Sequence, residues 1–493
     1  MPLVPLDIPS GVYRNGTDLQ SVGRWRDSNL VRWIDNTMRP IKGWRKRSSN
    51  AANAQVRGSH CWKTNAQTIW TAAGTYNKLY AYIGSGIQYD ITPVGLTAGI
   101  IDGDVNVGYG GSFYGSSYYG IQRINTTAET PATSWALDNW GEYLVACSDA
   151  DGKIYEWQLG TGTPAAVLSN APTSNRSMLV TEERFVFALG AGGNPRKVQW
   201  SDREDNNTWT PASTNEAGDI ELQTHGFIQC GARMQGQTLI LTDTDAHVAT
   251  YIGAPYVYGF ERVGTSCGCI SKQALATNDA GAFWMGSNSF YAYAGGSVSE
   301  LSSDVVDYVY SDINSSQLSK IFGMTNGKFG EIWWFYPSAN SLENNRYVVF
   351  NYVENTWYIG EFGRTSGFDS GVFTNPTMFG ASDYKPYEHE IGFDYDSLIP
   401  FAETAPFAIG SGDQVAVVTN MIPDERTQGE VQAVFKTRFH PNDVERQYGA
   451  YSMSNPTSVR FTGRQIRMRI EGAVLADWRL GINRLEIKAG GKR

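Results

Sequence analysis

Short apolar segments recur in pairs along most of the chain, and each pair has the form of a β-hairpin. A strand of aromatic and aliphatic residues is followed by a polar turn rich in Gly, Asn and Asp, and then by a second aromatic strand. Within each pair the apolar residues alternate with small or polar ones, which is the period of two that a strand requires. Six such pairs occupy residues 68–82, 143–157, 185–200, 239–251, 283–293 and 332–352, and a seventh candidate occupies 378–389.

The hairpins repeat at nearly regular intervals. Trp157 and Trp200 are 43 residues apart, as are Val248 and Tyr291, and Val198 lies 50 residues before Val248. A four-stranded propeller blade occupies about 40–50 residues. We therefore predict an all-β fold with a β-propeller body, and prefer six blades to seven. A set of separate β-sandwiches with similar hairpins is the alternative.

The two ends of the chain have a different pattern. Residues 465–470 alternate Ile and Met with Gln and Arg, which predicts a half-exposed strand with a basic outer face. The first 54 residues form an arm rich in Trp and Arg. Because the ends of a closed ring usually meet, we expect a small β platform made from both ends. The predicted domains are an arm at 1–54, a propeller at 55–426 with a Gly/Tyr-rich insertion at about 94–132, and basic strands at 427–493.

Charge divides the chain in the same way. Residues 1–50 hold nine Lys/Arg and four Asp/Glu, and residues 427–493 hold twelve and six, whereas residues 51–426 hold 19 and 39. This asymmetry indicates that different faces meet different partners, although an ordinary solvated surface is the simpler interpretation.

Composition agrees with a β fold and indicates in which cellular compartment the protein is found. Aromatic residues make up 13% of the chain and there are 53 Gly, which favours pleated sheets joined by tight turns. No segment approaches the roughly 20 apolar residues of a membrane helix, and we expect no signal peptide. The scattered cysteines suit a reducing compartment; they are Cys61, Cys147, Cys230, Cys267 and Cys269.

The basic residues of the two ends are the main candidates for function. Arg and Trp anchor many protein interfaces, and Arg and Lys bind DNA phosphates. We expect these residues to contact a partner ring or DNA phosphate, and we prefer the protein contact. The candidates are Arg24, Arg26, Arg32, Arg39, Arg45, Arg464, Arg467, Arg469, Arg479, Arg484 and Lys488.

Catalytic and metal-binding chemistry finds little support in the sequence. The acidic groups Asp149/Asp151, Asp202/Glu204/Asp205, Asp243/Asp245 and Asp394/Asp396 lie in predicted turns, where Asp is favoured for its backbone hydrogen bonds. Cys267-Gly-Cys269 lacks a second ligand pair at zinc spacing. We expect no enzyme, no cofactor and no metal site.

Five segments together resemble a known family. They are GVYRNGT at 11–17, RPIKGW at 39–44, GYGGSFYGSSYYG at 108–120, GRQ at 463–465 and WRLG at 478–481. In order and combination they resemble the tail nozzle (tail tubular, or hub) proteins of short-tailed bacteriophages, over nearly the whole chain. None of the five is a catalytic signature.

This resemblance implies a virion protein made in the host cytoplasm. It implies a β-propeller body, a platform that docks on the head–tail adaptor ring, and a homohexamer around a channel for packaged double-stranded DNA. It also implies retention and ejection of that DNA and contacts with tail fibres. Two other functions stay open: a carbohydrate-binding propeller or tailspike-like receptor-binding protein, and a propeller glycosidase.

Overall fold

A computed structural model describes residues 3–84, 86–103, 130–408 and 414–491. The Gly/Tyr-rich segment at 108–120 and most of the predicted insertion lie outside these residues. The described chain is built almost entirely from β-strands, with one short α-helix, α1 (Val306–Asp312), and 3-10 turns at Ala191–Gly193, Ser315–Lys320 and Gly327–Phe329. None of these helices has the length and apolar character needed to cross a membrane.

The N-terminal arm contributes five strands, which join three different parts of the molecule. They are β1 (Leu3–Leu6), β2 (Trp25–Asn29), β3 (Val31–Ile34), β4 (Thr37–Pro40) and β5 (Trp44–Lys46). β3 and β4 form a two-stranded hairpin of their own.

The body of the molecule consists of seven four-stranded antiparallel sheets within the described residues, which we number as blades 1 to 7. Blade 1 contains β6 (Ser59–Lys63), β7 (Ile69–Gly74), β8 (Leu79–Ile83) and β9 (Gln88–Asp90); blade 2 contains β10 (Trp135–Trp140), β11 (Tyr143–Ser148), β12 (Ile154–Trp157) and β13 (Ala166–Val167); blade 3 contains β14 (Ser177–Val180), β15 (Val186–Leu189), β16 (Lys197–Trp200) and β17 (Gly218–Glu221); blade 4 contains β18 (Ile228–Met234), β19 (Gln237–Thr242), β20 (Asp245–Gly253) and β21 (Val257–Thr265).

The remaining blades follow the same plan. Blade 5 contains β22 (Leu275–Asn278), β23 (Gly281–Met285), β24 (Phe290–Ala294) and β25 (Ser297–Glu300); blade 6 contains β26 (Phe322–Asn326), β27 (Glu331–Tyr336), β28 (Arg346–Asn351) and β29 (Thr356–Glu361); blade 7 contains β30 (Arg364–Phe368), β31 (Thr377–Gly380), β32 (Pro386–His389) and, as its outer strand, β5 from the arm. Each hairpin found in the sequence supplies the second and third strands of one blade.

The blades close into a ring. The first strand of each blade contacts the first strand of the next, and β30 of blade 7 contacts β6 of blade 1. These seven strands line a central channel with a volume of about 400 Å³. The β-propeller prediction is therefore confirmed, but the preference for six blades is wrong. The seventh blade is hard to recognise in the sequence because its outer strand lies more than 300 residues before the other three.

The arm strand β5 completes blade 7 by pairing with β32. Trp44 lies opposite His389 in this pair, and its buried indole stacks on Phe362 with ring centroids 5.0 Å apart. The indole Nε1 donates a hydrogen bond of 2.7 Å to Asp396 Oδ2. This part of the predicted arm therefore belongs to the propeller.

The two ends of the chain meet in a second unit, which we call the platform. Its C-terminal strands are β33 (Phe401–Thr404), β34 (Phe407–Ala408), β35 (Ala416–Ile422), β36 (Val431–Arg438), β37 (Arg446–Ser452), β38 (Thr457–Gly463), β39 (Gln465–Gly472) and β40 (Asn483–Ala489). One sheet has the order β1-β40-β35-β38, and the other has the order β2-β33-β39-β36-β37 with β34 also paired to β39. Both sheets thus contain a strand from the arm.

Apolar side chains from both sheets fill the platform core. Phe435 on β36 stacks on Phe461 on β38 with centroids 4.6 Å apart. The same core continues into blades 4 to 7. The predicted boundary at residue 427 needs correction, because β33 at Phe401 already pairs with the arm strand β2. The platform strands therefore begin about 25 residues earlier than the sequence indicated.

The platform lies along the outer edge of blade 6. Ser28 Oγ on β2 donates a 2.8 Å hydrogen bond to the Ile359 carbonyl on β29, and the Leu30 amide donates one of 2.8 Å to the Tyr347 hydroxyl. Asn29 Oδ1 accepts a 2.9 Å hydrogen bond from the Glu361 amide. The arm therefore fastens the platform to the propeller before it continues to blade 7.

We predict that removing the Trp44 side chain weakens the closure of the ring. Because a buried aromatic side chain packs here, Trp44→Ala should lower the free energy of unfolding by about 3–5 kcal/mol. Arg45→Ala, on the exposed side of the same strand, should change it by less than about 1 kcal/mol. Urea unfolding followed by circular dichroism measures both. Equal effects of the two substitutions would contradict the role given to Trp44.

We also predict that acid destabilises blade 7 through His389. This residue is buried, and its Nε2 accepts a 3.0 Å hydrogen bond from Arg364 Nε. Burial, together with the Arg364 charge, holds the pKa of His389 well below its ordinary value. As the pH falls below about 6.5, the unfolded chain takes up a proton that the folded chain does not, so stability falls with pH.

From pH 7.5 to 5.5, His389 should account for a loss of about 1.4 kcal/mol in the free energy of unfolding. Burial also lowers the pKa of His60 and His247, which adds to the loss. Urea titrations at the two pH values should show that the free energy of unfolding falls less in His389→Gln than in the wild-type chain. The same substitution at the exposed His225 is the control. If the free energy of unfolding falls as much in His389→Gln as in the wild-type chain, this prediction is wrong.

Candidate interaction surfaces

The eleven basic residues predicted to form a partner or phosphate interface do not share one surface. One of them, Arg32, is buried between the arm and the propeller. Six form ion pairs with other residues of the described chain, namely Arg24, Arg26, Arg45, Arg467, Arg469 and Arg479. Ion pairs are not found for the remaining four among the described residues, namely Arg39, Arg464, Arg484 and Lys488.

Arg32 is a structural residue and not an interface residue. Its guanidinium donates 3.0 Å hydrogen bonds to Glu331 on blade 6 and to Glu390, which follows blade 7, and it lies 3.7 Å over the Phe329 ring. Asn326 donates hydrogen bonds to both carboxylates. Burial raises the pKa of Glu331, which Arg32 opposes. Sequence reasoning missed this because Glu331 and Glu390 lie 299 and 358 residues after Arg32.

The predicted basic outer face of β39 is neutralised inside the molecule. Arg26, Arg467 and Arg469 each contact carboxylates brought from other segments. The contacts join Asp18 to Arg26 (3.2 Å) and Arg467 (2.5 Å), Glu445 to Arg467 (3.0 Å), Glu471 to Arg469 (3.0 Å), and Glu403 to Arg467 (3.6 Å) and Arg469 (3.7 Å). We call this set the platform ion network. Burial also lowers the pKa of Arg26.

Other predicted residues are also committed to contacts within the chain. Arg24 pairs with Asp304 at 3.0 Å, Arg45 with Glu388 at 3.0 Å, and Arg479 with Asp477 at 3.7 Å. Such surface pairs contribute little to stability, because solvent screens them. They do reduce the positive charge that a partner would meet.

Of the four predicted residues without an ion pair, Arg39 and Arg464 are partly buried and the other two are exposed. Burial and the nearby Arg479 lower the pKa of Arg39. The exposed pair, Arg484 and Lys488, lies on the outer face of β40. Arg460 on β38 and Arg446 on β37 are also exposed and have no ion-pair partner in the part of the chain that the structure describes. The strict alternation of β38 could have revealed Arg460 from the sequence.

Two exposed apolar surfaces escaped the sequence analysis. The first is the tip of the β20–β21 hairpin of blade 4, where Ile252 and Tyr256 are 57% and 77% exposed. The second, on the platform, consists of Leu19, Val22, Phe439 and Val444, of which Val444 is 90% exposed. Exposed apolar groups of this kind commonly mark interaction surfaces. For the first, β20 and β21 are nine residues long in the structure, a length that the sequence pattern did not reveal.

The acidic groups considered as catalytic mostly serve turns and ion pairs. Asp149 Oδ2 lies 2.6 Å from Lys272 Nζ, and Asp149 Oδ1 accepts a hydrogen bond from the Ser134 amide. Asp243 accepts one of 2.7 Å from the Phe227 amide. Among the residues that the structure describes, no group of three or more His, Cys, Asp or Glu is placed to hold a metal ion.

The central channel of the propeller is narrow and contains charged side chains. Asp138 on β10 accepts a 2.7 Å hydrogen bond from Arg233 on β18, across the intervening blade. A second cavity of about 500 Å³ includes Lys272, Asp149 and Arg176 in its wall. Both volumes fit small molecules and not a DNA duplex, so a path for DNA would have to lie outside the single chain.

Comparison with known proteins identifies no family for this chain. No known family and no curated protein matches the chain in sequence. Similar solved structures include virginiamycin B lyase from Staphylococcus aureus, with 10% identity, a TM-score of 0.41 and coverage of 71% of this chain and 99% of that chain. The WD40 domain of Pan2 from Neurospora crassa has 7% identity, a TM-score of 0.40 and coverage of 72% and 95%.

A third similar structure is the exo-β-1,3-galactanase of Phanerochaete chrysosporium, with 9% identity, a TM-score of 0.31 and coverage of 91% and 100%. The expectation that the chain is not an enzyme is corrected here. The lyase and the galactanase are enzymes, and a fold class by itself does not decide whether a protein catalyses a reaction. At 10% identity or less, none of their residue roles transfers to this chain.

We predict that Arg32→Met strongly destabilises the protein, because it leaves two buried carboxylates without their cation. The free energy of unfolding should fall by about 3–5 kcal/mol. Arg484→Met, at an exposed position, should change it by no more than about 0.5 kcal/mol. Adding Glu331→Gln and Glu390→Gln to Arg32→Met should recover part of the loss. Urea titration measures all three variants, and a neutral effect of Arg32→Met would refute the anchoring role.

Proposed function

We propose that the chain is a structural subunit of the tail nozzle of a short-tailed bacteriophage. In this proposal six copies form a ring that docks on the head–tail adaptor, retains packaged double-stranded DNA and conducts it during ejection. The platform surface faces a protein partner, and tail fibres contact the same assembly.

One observation carries the proposal most directly. Two of the segments that resemble nozzle proteins are far apart in the sequence, yet both join the arm strands: Val12 of the 11–17 segment bridges to Trp25 on β2, and Leu480 of the 478–481 segment bridges to Met38 on β4. A resemblance confined to two ends would be weak if those ends lay apart. Their union supports the interpretation that they serve one function, such as docking on a neighbouring ring.

The distribution of charge supports a conduit between copies and not through one propeller. The segment 51–426, which includes most of the propeller, carries 19 basic and 39 acidic residues. An acidic wall repels phosphate, so DNA could slide past it without adhering. In this proposal the propellers surround the DNA as a group, and retention depends on a physical barrier and not on attraction.

Labelling of virions tests the proposal. An antibody raised against the purified chain should bind the tail of the phage particles encoded by the same genome, in negative-stain electron microscopy, close to the junction with the head. Purified protein mixed with those particles after tail removal should restore a tail stub. An antibody against the major capsid protein provides the control for specific labelling.

Two results would count against the nozzle. Absence of the chain from purified virions would refute a virion role altogether. Label confined to lateral projections, together with glycan binding by the purified chain, would favour the tailspike-like receptor-binding alternative.

A further inference from the structure

The β20–β21 hairpin extends beyond the body of blade 4. β19 pairs with β20 only as far as Ala249, so beyond this residue β20 has no paired strand on that side among the described residues. The base of the extension packs on blade 3, where the ring centroids of Tyr258 and Trp200 are 5.6 Å apart. Beyond this base the chain continues to an apolar turn formed by Ile252, Ala254, Pro255 and Tyr256, which we call the tip.

The tip has the properties of a contact surface. Its side chains are largely exposed, whereas the aromatic base holds the hairpin in place. Tyr is among the residues that most often dominate the energy of an interface. A rigid base with an exposed Tyr at the end lowers the entropy lost on binding.

The platform carries a matching apolar surface, which we call the rim and which consists of Leu19, Val22, Phe439 and Val444. Arg438 extends the platform ion network to this surface, because Asp18 contacts both Arg438 and Arg467 and Glu445 contacts the same two arginines. Leu19, Phe439 and Val444 are direct chain neighbours of Asp18, Arg438 and Glu445, respectively. The network therefore fixes apolar side chains from the arm and from the β36–β37 loop in one place.

The charges beside the two surfaces differ in balance. Around the hairpin, Glu216 and Glu183 accept hydrogen bonds from Tyr251 and Tyr258 and Glu261 is exposed, against the exposed cation Arg203, which lies 5.7 Å from the Tyr251 ring. Arg446 on β37 and Arg460 on the contacting strand β38 are exposed cations without an ion-pair partner among the described residues, against the exposed carboxylate Asp443 beside the rim. Opposite charges around an apolar contact speed association and fix its orientation.

Tip and rim lie on different parts of the chain, on blade 4 and beside blade 6. They cannot meet within one molecule, because the base of the hairpin is fixed on blade 3 and the platform is fixed on blade 6. A contact between two different surfaces of identical chains is heterologous, and its repetition builds a closed ring or a filament.

We propose that the tip of one copy binds the rim of a second copy of this chain, head to tail. This inference rests on the proposed function, since it names the surfaces that would join the subunits of the nozzle ring.

Complementary variants test the contact in solution. The tip variant carries Ile252→Asp and Tyr256→Asp, and the rim variant carries Leu19→Asp and Val444→Asp. The wild-type chain should self-associate in sedimentation velocity runs. Each variant should have a dissociation constant for self-association at least about thirtyfold higher than wild type. An equimolar mixture of the two variants should form a one-to-one dimer and nothing larger, because only one intact tip and one intact rim remain to meet.

Controls separate a lost contact from a lost fold. Val353→Asp changes an equally exposed apolar residue outside both surfaces and should associate like wild type. All variants should keep the wild-type circular dichroism spectrum, and a variant that does not fold is replaced by the single substitution Tyr256→Ser or Val444→Ser.

Three results overturn the proposal: a wild-type chain that stays monomeric at the highest concentration reached, variants that assemble like wild type, or a mixture that forms no dimer. These results concern the contact alone. The virion labelling described above decides the nozzle proposal separately, since a chain can lie in the tail without this contact, or form it outside a tail.

Discussion

The architecture depends on a strand that the propeller cannot supply from its own segment. Blade 7 has only three strands between Arg364 and His389, so its outer edge would stay open without β5. An open edge exposes unpaired amide and carbonyl groups and invites pairing with other chains. The arm removes that edge and, through Arg32, places a guanidinium between Glu331 and Glu390. Completion of blade 7 and the guanidinium that balances these acids therefore come from the same segment.

The path of the arm has a consequence for the platform. β2 must reach blade 6 and β5 must reach blade 7, so the residues between them cross from one unit to the other. A core shared by the platform and blades 4 to 7 makes the junction rigid. Domains joined by a small polar interface move relative to one another by default. This chain instead places its platform in one position, which gives surfaces on the platform and on the propeller a fixed relative geometry.

Local patterns allowed the repeating part of the fold to be predicted, because alternation and turn residues act over a few positions. All seven hairpins are present, and the strand at 465–470 has the expected alternation. What failed were features set by contacts distant in sequence: the fourth strand of blade 7, the start of the platform, and the partners of Arg32 and Arg467. A basic residue looks the same in the sequence whether it faces solvent or Glu331. The exposure of Tyr256 and Val444 likewise depends on where the turns that follow β20 and β36 lie in the folded chain, which the local sequence does not indicate.

The pairing of so many arginines changes what a partner could recognise. An arginine that already contacts Asp18 or Glu403 offers a partner few free hydrogen bonds, and separating the pair would leave a partly buried charge uncompensated. Such a network is better suited to positioning its neighbours than to binding phosphate. The neighbours here are apolar and exposed, so desolvation of Leu19, Phe439 and Val444 provides the larger driving force for association. Unpaired cations such as Arg446 and Arg460 then act at longer range, on orientation and rate, where charge is most effective.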